Sequence, residues 1–143
     1  MSTKSFPARS PSEKVGGLVY FGRMLDKIGA HVRGELPPEY VEKLGGGFDG
    51  RCVRFLGLDY ADVVARVKAG GSDEEIWQWA REVGRGRSLT EEDISNWNEF
   101  MRKCGWNDEV TPTLEWRKEQ SGMKDRADIA TMFQFIDTDE QRL

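Results

Sequence analysis

Leu89-Thr90-Glu91-Glu92-Asp93-Ile94, continuing through Trp97 and Met101 to Cys104-Gly105, carries every mark of a complete helix. Thr90 is an N-cap whose hydroxyl accepts from the free amide at Asp93, while that carboxylate returns the bond to Thr90. Leu89 is placed to pack on Ile94 as a hydrophobic staple. Ile94, Trp97, Met101 and Cys104 follow the three-to-four-residue beat of a helix face, and Gly105 ends it.

The same punctuation recurs on both sides. Ser72 and Glu75 form a second capping box ahead of Ile76, Ala80 and Val83, with Gly84 as the stop. Asp59 is expected to cap the helix that carries the stripe Tyr60, Val63, Val64, Val67, closed by Gly70-Gly71. Phe48 to Leu58 reads as a short helix, and Pro37-Pro38 starts a helical turn that runs through Leu44 to Gly45-Gly46-Gly47. Ser10-Pro11-Ser12-Glu13 predicts the start of a long first helix, with Leu18, Phe21, Met24, Leu25, Ile28 and Val32 on its apolar arc and Gly34 past its end. Its glycines, Gly16, Gly17, Gly22 and Gly29, weaken such a helix unless another helix approaches closely. Thr111-Pro112 opens a more polar helix ending by Gly122. Asp125 caps a last one with Ile129, Met132, Phe133 and Ile136, followed by an acidic tail from Asp137. The single β-like run is Leu18-Val19-Tyr20-Phe21. The expectation is therefore an all-α, compact single-domain bundle of about six or seven helices over residues 10–143, after a flexible N-terminal tail of residues 1–9.

Composition narrows the functional classes. The chain has 143 residues, with 21 Lys+Arg against 25 Asp+Glu, one His, two Cys and 38% hydrophobic residues. A net charge of -4 lacks the basic footprint of a general nucleic-acid binder. The mean hydropathy of -0.64 comes with no apolar run long enough to span a membrane. No apolar secretory core follows Met1. Cys52 and Cys104 read as reduced thiols, and with one His they cannot build a zinc site of standard spacing. No metal and no cofactor is implied.

Gly45-Gly46-Gly47-Phe48-Asp49-Gly50-Arg51-Cys52 matches G-x-G-x-x-G and approaches a P-loop, but no strand precedes it, and Arg51-Cys52 replaces the Lys-Ser/Thr pair that reaches phosphates and magnesium. The segment reads as a helix-to-helix turn. A weaker anion site remains at the amide end of a helix starting near Asp49, using Arg51 and Arg54.

Arg23, Asp26 and Lys27 lie opposite the apolar arc of the first helix. A solvated face is the default, with Arg23 and Asp26 as a local pair. If the helix is covered on both sides, these charges need buried partners from Asp49 or Glu99, and a polar site follows beneath it. The candidate ligand-binding residues are thus Arg23, Asp26, Asp49, Arg51, Arg54 and Trp97, with no catalytic residue assigned. Core filling is the default for the five tryptophans, although Trp77 and Trp79 cannot both face inward. Asp73-Glu74-Glu75 and Glu91-Glu92-Asp93 serve helix dipoles rather than metals. Arg81, Arg85 and Arg87 form a small basic patch, a third-choice RNA contact. His31 reads as a structural or partly exposed side chain.

Several segments together, Gly17-Leu18-Val19, Arg23-Met24-Leu25-Asp26-Lys27-Ile28, Phe48-Asp49-Gly50-Arg51, Arg54-Phe55-Leu56-Gly57, Gly71-Ser72-Asp73-Glu74-Glu75 and Trp97-Asn98-Glu99-Phe100-Met101, resemble the uncharacterised bacterial domain-of-unknown-function family 5069, from about Ser10 to Glu140. The resemblance implies a small soluble cytoplasmic bacterial protein and brings no substrate or catalytic residue with it. The leading expectation is a non-enzymatic binding or protein-interaction domain whose partner is an unknown protein or small molecule. A metabolite-binding protein or enzyme with an anion site at Asp49, Arg51 and Arg54 is the alternative.

Overall fold

In the computed structural model, which describes residues 6–142, α1 spans Phe21–Val32, α2 Pro38–Val41, α3 Gly47–Leu56 and α4 Tyr60–Lys68. They are followed by α5 Asp73–Val83, α6 Glu91–Lys103, α7 Thr111–Gln120 and α8 Met132–Asp139, with one 3-10 turn at Gly86–Ser88. The architecture is all-α, with eight helices among the described residues when the four-residue α2 is counted. Two of the three expected capping boxes are in place: Ser72 Oγ accepts from the Glu75 amide, and Thr90 Oγ1 from that of Asp93, whereas Ser10 and Glu13 form none. No helix of the described residues is long and apolar enough to cross a membrane.

The N-terminal reading needs correcting. Ser10 does not open a helix; its Oγ accepts from the Ser12 amide and donates to Asp137 Oδ2. Residues 14–19 then form a small antiparallel hairpin, β1 Lys14–Val15 and β2 Leu18–Val19, in the register Lys14 to Val19 and Val15 to Leu18. Gly16 and Gly17 close it with φ of 62° and 82°, the two left-handed positions that a two-residue hairpin requires. Asn98 of α6 clamps the hairpin, accepting from the Val19 amide at 2.9 Å and donating to the Gly17 carbonyl at 2.8 Å. Of the segment read as a tail, residues 1–5 lie outside the described residues. The rest is anchored: Ala8 is buried, and Arg9 bonds Asp26 and Asp73.

A β-carbon on Gly16 would lie 2.2 Å from Trp77 Cε2, whereas one on Gly17 would meet nothing within 4 Å. Gly16→Ala is expected to destabilise by about 2–4 kcal/mol and Gly17→Ala by about 1–2 kcal/mol, because both oppose positive φ but only the first displaces a buried indole. Urea melts of the two variants check this; equal losses would remove the indole contact from the account.

Helix α1 runs through the middle of the core. Phe21, Met24, Leu25 and Ile28 pack against Leu56, Val63, Trp77 and Met101, and Phe133 of α8 joins the same cluster. Leu114, Ile129, Met132 and Phe135 form a smaller cluster between α7 and α8, with Phe48 packed against both. Being covered on nearly every side, α1 takes Arg23 and Lys27 inside with its apolar residues.

Candidate functional site

Arg23 and Lys27 stand one turn apart on α1, the spacing that places two side chains on one helix face. Their default reading as a solvated face fails, since they are only 2% and 8% exposed. Both line a cavity of about 610 Å³, which also takes in Tyr20, Tyr40, Lys43, Phe48, Arg51, Trp116, Arg117, Asp139 and Glu140. Five elements thus contribute: α1, the α2 turn, the start of α3, the outer face of α7 and the end of α8.

Each buried cation has found a carboxylate. Arg23 forks onto Glu140, with Nη1 and Nη2 donating at 2.8 and 2.7 Å, and Glu140 also accepts from the Tyr40 hydroxyl at 3.1 Å. Burial works against the guanidinium charge, but the Glu140 hydrogen bonds and charge outweigh it and leave the Arg23 pKa above its ordinary value. Glu140 belongs to the stretch read as an acidic tail, yet its side chain is only 3% exposed.

Lys27 Nζ lies 2.9 Å from Asp49 Oδ1 and donates to the Tyr20 hydroxyl at 2.9 Å. Tyr20 in turn donates to Asp49 at 2.6 Å, and the Gly45 amide donates to the other carboxylate oxygen at 3.1 Å. Asp49 is 1% exposed. Burial pulls the Lys27 pKa below the ordinary lysine value, and Asp49 offsets this only in part. Burial and then Asp49 push the Tyr20 phenol well above its own. Tyr20 holds this position with φ 75°, a backbone conformation worth about 1–3 kcal/mol of strain for a residue with a side chain.

The remaining candidates separate. Arg51 reaches the cavity wall while lying over the Phe100 ring at 5.3 Å. Asp49 sits behind the cavity, bonded to Tyr20 and Lys27. Arg54 is exposed and outside the lining, so Asp49, Arg51 and Arg54 do not converge. Asp26 faces away and holds Arg9 through Nε at 2.8 Å and Nη2 at 2.9 Å. Trp97 is a core side chain, stacked on Phe55 with its indole N–H donating to the Val19 carbonyl. Glu99 is paired on the surface with Arg102 rather than under α1. Of the other tryptophans, Trp106 and Trp116 are exposed rather than core-filling, and Trp116 stands at the cavity mouth.

Sequence reasoning missed Lys43, Arg117, Tyr20, Tyr40 and Glu140. The available signal was the apolar surround of α1, which forces any charge on it to find a buried partner. At the mouth, partial burial and then the nearby Arg117 cation push the Lys43 pKa down. Among the described residues Lys43, Arg51 and Arg117 have no carboxylate within 4 Å. Burial, and secondarily Asp49, raises the Cys52 thiol pKa, which makes it a core group rather than a nucleophile. No group of three His, Cys, Asp or Glu among the described residues is placed to hold a metal.

No curated protein matches the chain. A family model does, over residues 5–142, and the chain therefore belongs to the family described as a domain of unknown function (DUF5069).

Proposed function

We propose that this protein is a binding protein for a small anionic molecule, taken up in the cavity beside α1. One observation carries the reading. Among the described residues three buried side-chain polar atoms lack a hydrogen-bond partner, Arg23 Nε, Arg117 Nε and the Tyr60 hydroxyl, and two of the three are guanidinium donors on residues lining that cavity. A buried donor left without an acceptor costs about 1–3 kcal/mol, which an anionic ligand offsets if the Arg23 and Arg117 side chains shift enough to bring Nε to it. The cations Lys43 and Arg51 share the lining with the carboxylates Glu39, Glu42 and Asp139, so discrimination falls to the unsatisfied guanidinium donors. Tyr40, Phe48 and Trp116 bring aromatic side chains to the lining, and a volume near 610 Å³ suits a metabolite.

The test is a thermal-melt panel of carboxylates and phosphates with native mass spectrometry of the freshly purified protein. At least one anion is expected to raise the melting temperature in a dose-dependent way. Arg117→Ala is expected to weaken that ligand about tenfold or more, since charge-assisted hydrogen bonds contribute about 1.5–3 kcal/mol. An unresponsive panel together with an empty native mass spectrum overturns the proposal.

A protein partner is the second reading, supported by exposed Phe100 and Trp106, the latter 62% accessible. Light scattering with Trp106→Ser as control checks it; a strictly monomeric species in both proteins counts against self-association.

A further inference from the structure

We propose that Lys27 captures its ligand covalently: its amine condenses with the carbonyl of a 2-oxo acid seated in the cavity, forming a reversible imine. This rests on the anion-binding reading above and names the ligand class for that site.

The argument begins with spacing. A 2-oxo acid carries its carbonyl carbon directly beside a carboxylate, so a receptor needs an anion-binding group and an amine side by side. Arg23 and Lys27 lie on successive turns of one buried helix face; both Nη atoms of Arg23 already hold Glu140, so its Nε–H, which has no protein acceptor, is the donor left for the ligand. Lys27 has little access to water, which disfavours its charged form, the usual way an amine is prepared for addition to a carbonyl.

Its neighbours are those the proton transfers require. Asp49 is 2.9 Å from Nζ, and the Tyr20 hydroxyl lies 2.9 Å from Nζ and 2.6 Å from Asp49. Asp49 accepts one ammonium proton, and the freed electron pair forms the C–N bond as the carbonyl π pair moves to oxygen. Tyr20 relays a second proton from nitrogen to that oxygen, giving the carbinolamine. Asp49 then returns its proton to the hydroxyl, the C–O bond breaks, and water leaves as the nitrogen pair forms the protonated imine. Both hydrogens of the water come from the original ammonium, and no oxidant or reductant enters. The left-handed backbone of Tyr20 gains a role in this scheme, because it aims the phenol between the amine and the carboxylate.

The test incubates the protein with pyruvate or phenylpyruvate, reduces with sodium borohydride and maps the adduct by peptide mass spectrometry. The expected result is one adduct per chain on Lys27, absent when lactate replaces pyruvate, suppressed by excess inorganic phosphate and lost in Lys27→Arg. Tyr20→Phe is expected to keep the modification site while slowing trapping roughly a hundredfold, the scale of a missing general acid–base group. Site mapping in the wild-type chain decides the matter even if a variant fails to fold. Adducts on Lys43, or spread over exposed lysines such as Lys68 and Lys103, overturn the inference. Stabilisation by pyruvate without any adduct also overturns it while leaving anion binding intact. No stabilisation and no adduct with pyruvate or phenylpyruvate overturns the inference, and an unresponsive anion panel with an empty native mass spectrum removes the anion-binding reading with it.

Discussion

Glu140→Ala is expected to lower the unfolding free energy by about 3–5 kcal/mol, the scale of breaking a buried ion pair from one side. The substitution removes little apolar surface, so a surface view of the chain end predicts almost no effect. The loss arises at Arg23, whose side chain is 3% exposed and whose Nη1 and Nη2 both donate to that carboxylate. Tyr40 loses its acceptor as well. Replacing both partners, as in Arg23→Met with Glu140→Met, is expected to recover most of the stability, since an apolar pair of similar volume needs no compensation. It should also abolish anion binding at the same site. Urea denaturation of the two single variants and the double variant measures the coupling. A Glu140→Ala loss below about 1 kcal/mol would falsify the buried pairing and imply that Arg23 is hydrated.

Asp49→Asn is the second large effect, again about 3–5 kcal/mol near neutral pH, because the shape survives while Lys27 loses its counter-charge. Its pH dependence has a definite sign. The Lys27 pKa in the folded chain already lies below the ordinary 10.5 through burial and the Arg23 cation, with Asp49 opposing and Glu140 adding a smaller opposing attraction. A lowered lysine value means that the unfolded chain holds more protons between the two values, so stability from this group rises with pH over a window ending at 10.5. Without Asp49 the folded value drops further and the window opens at lower pH. The deficit of Asp49→Asn relative to wild type should therefore shrink as pH rises from neutrality towards 10.5. Tyr20, whose phenol is raised, contributes in the opposite direction only above its ordinary value of 10.0. A deficit independent of pH across that range would sink the assignment.

How far the sequence disclosed the fold depends on whether each signal acts locally. Ser72 with Glu75 and Thr90 with Asp93 bond within one turn, so α5 and α6 start where the residues say. Ser10-Pro11-Ser12-Glu13 has the same letters but another fate. The Tyr20 amide bonds back to the Pro11 carbonyl, and Ser10 is engaged by Asp137, contacts that no local pattern records. The last helix begins at Met132 behind a Thr131–Gln134 capping box rather than at Asp125, because the intervening residues turn. That box was readable, and the earlier aspartate distracted from it.

The site divides in the same way. Arg23 and Lys27 stand opposite the apolar arc, where a solvated face is the default; the conditional expectation, that a covered helix makes these charges seek Asp49 or Glu99, describes Lys27 with Asp49. The partner of Arg23 was not recognisable, since Glu140 lies 117 residues away and looks like any acid near a chain end. Asp26 and Arg54 stand near Arg23 and Asp49 in sequence, but Asp26 is taken by Arg9 and Arg54 faces solvent, while Trp97 is held in the core by Phe55 and the Val19 carbonyl.

The fork between Arg23 and Glu140 has a consequence for synthesis. A ribosome adding about 5–20 residues per second exposes Arg23 on the order of ten seconds before the carboxylate that neutralises it exists. During that interval the central helix carries an uncompensated charge at the place where its neighbours must close. The nascent domain therefore has reason to stay open until Glu140 emerges.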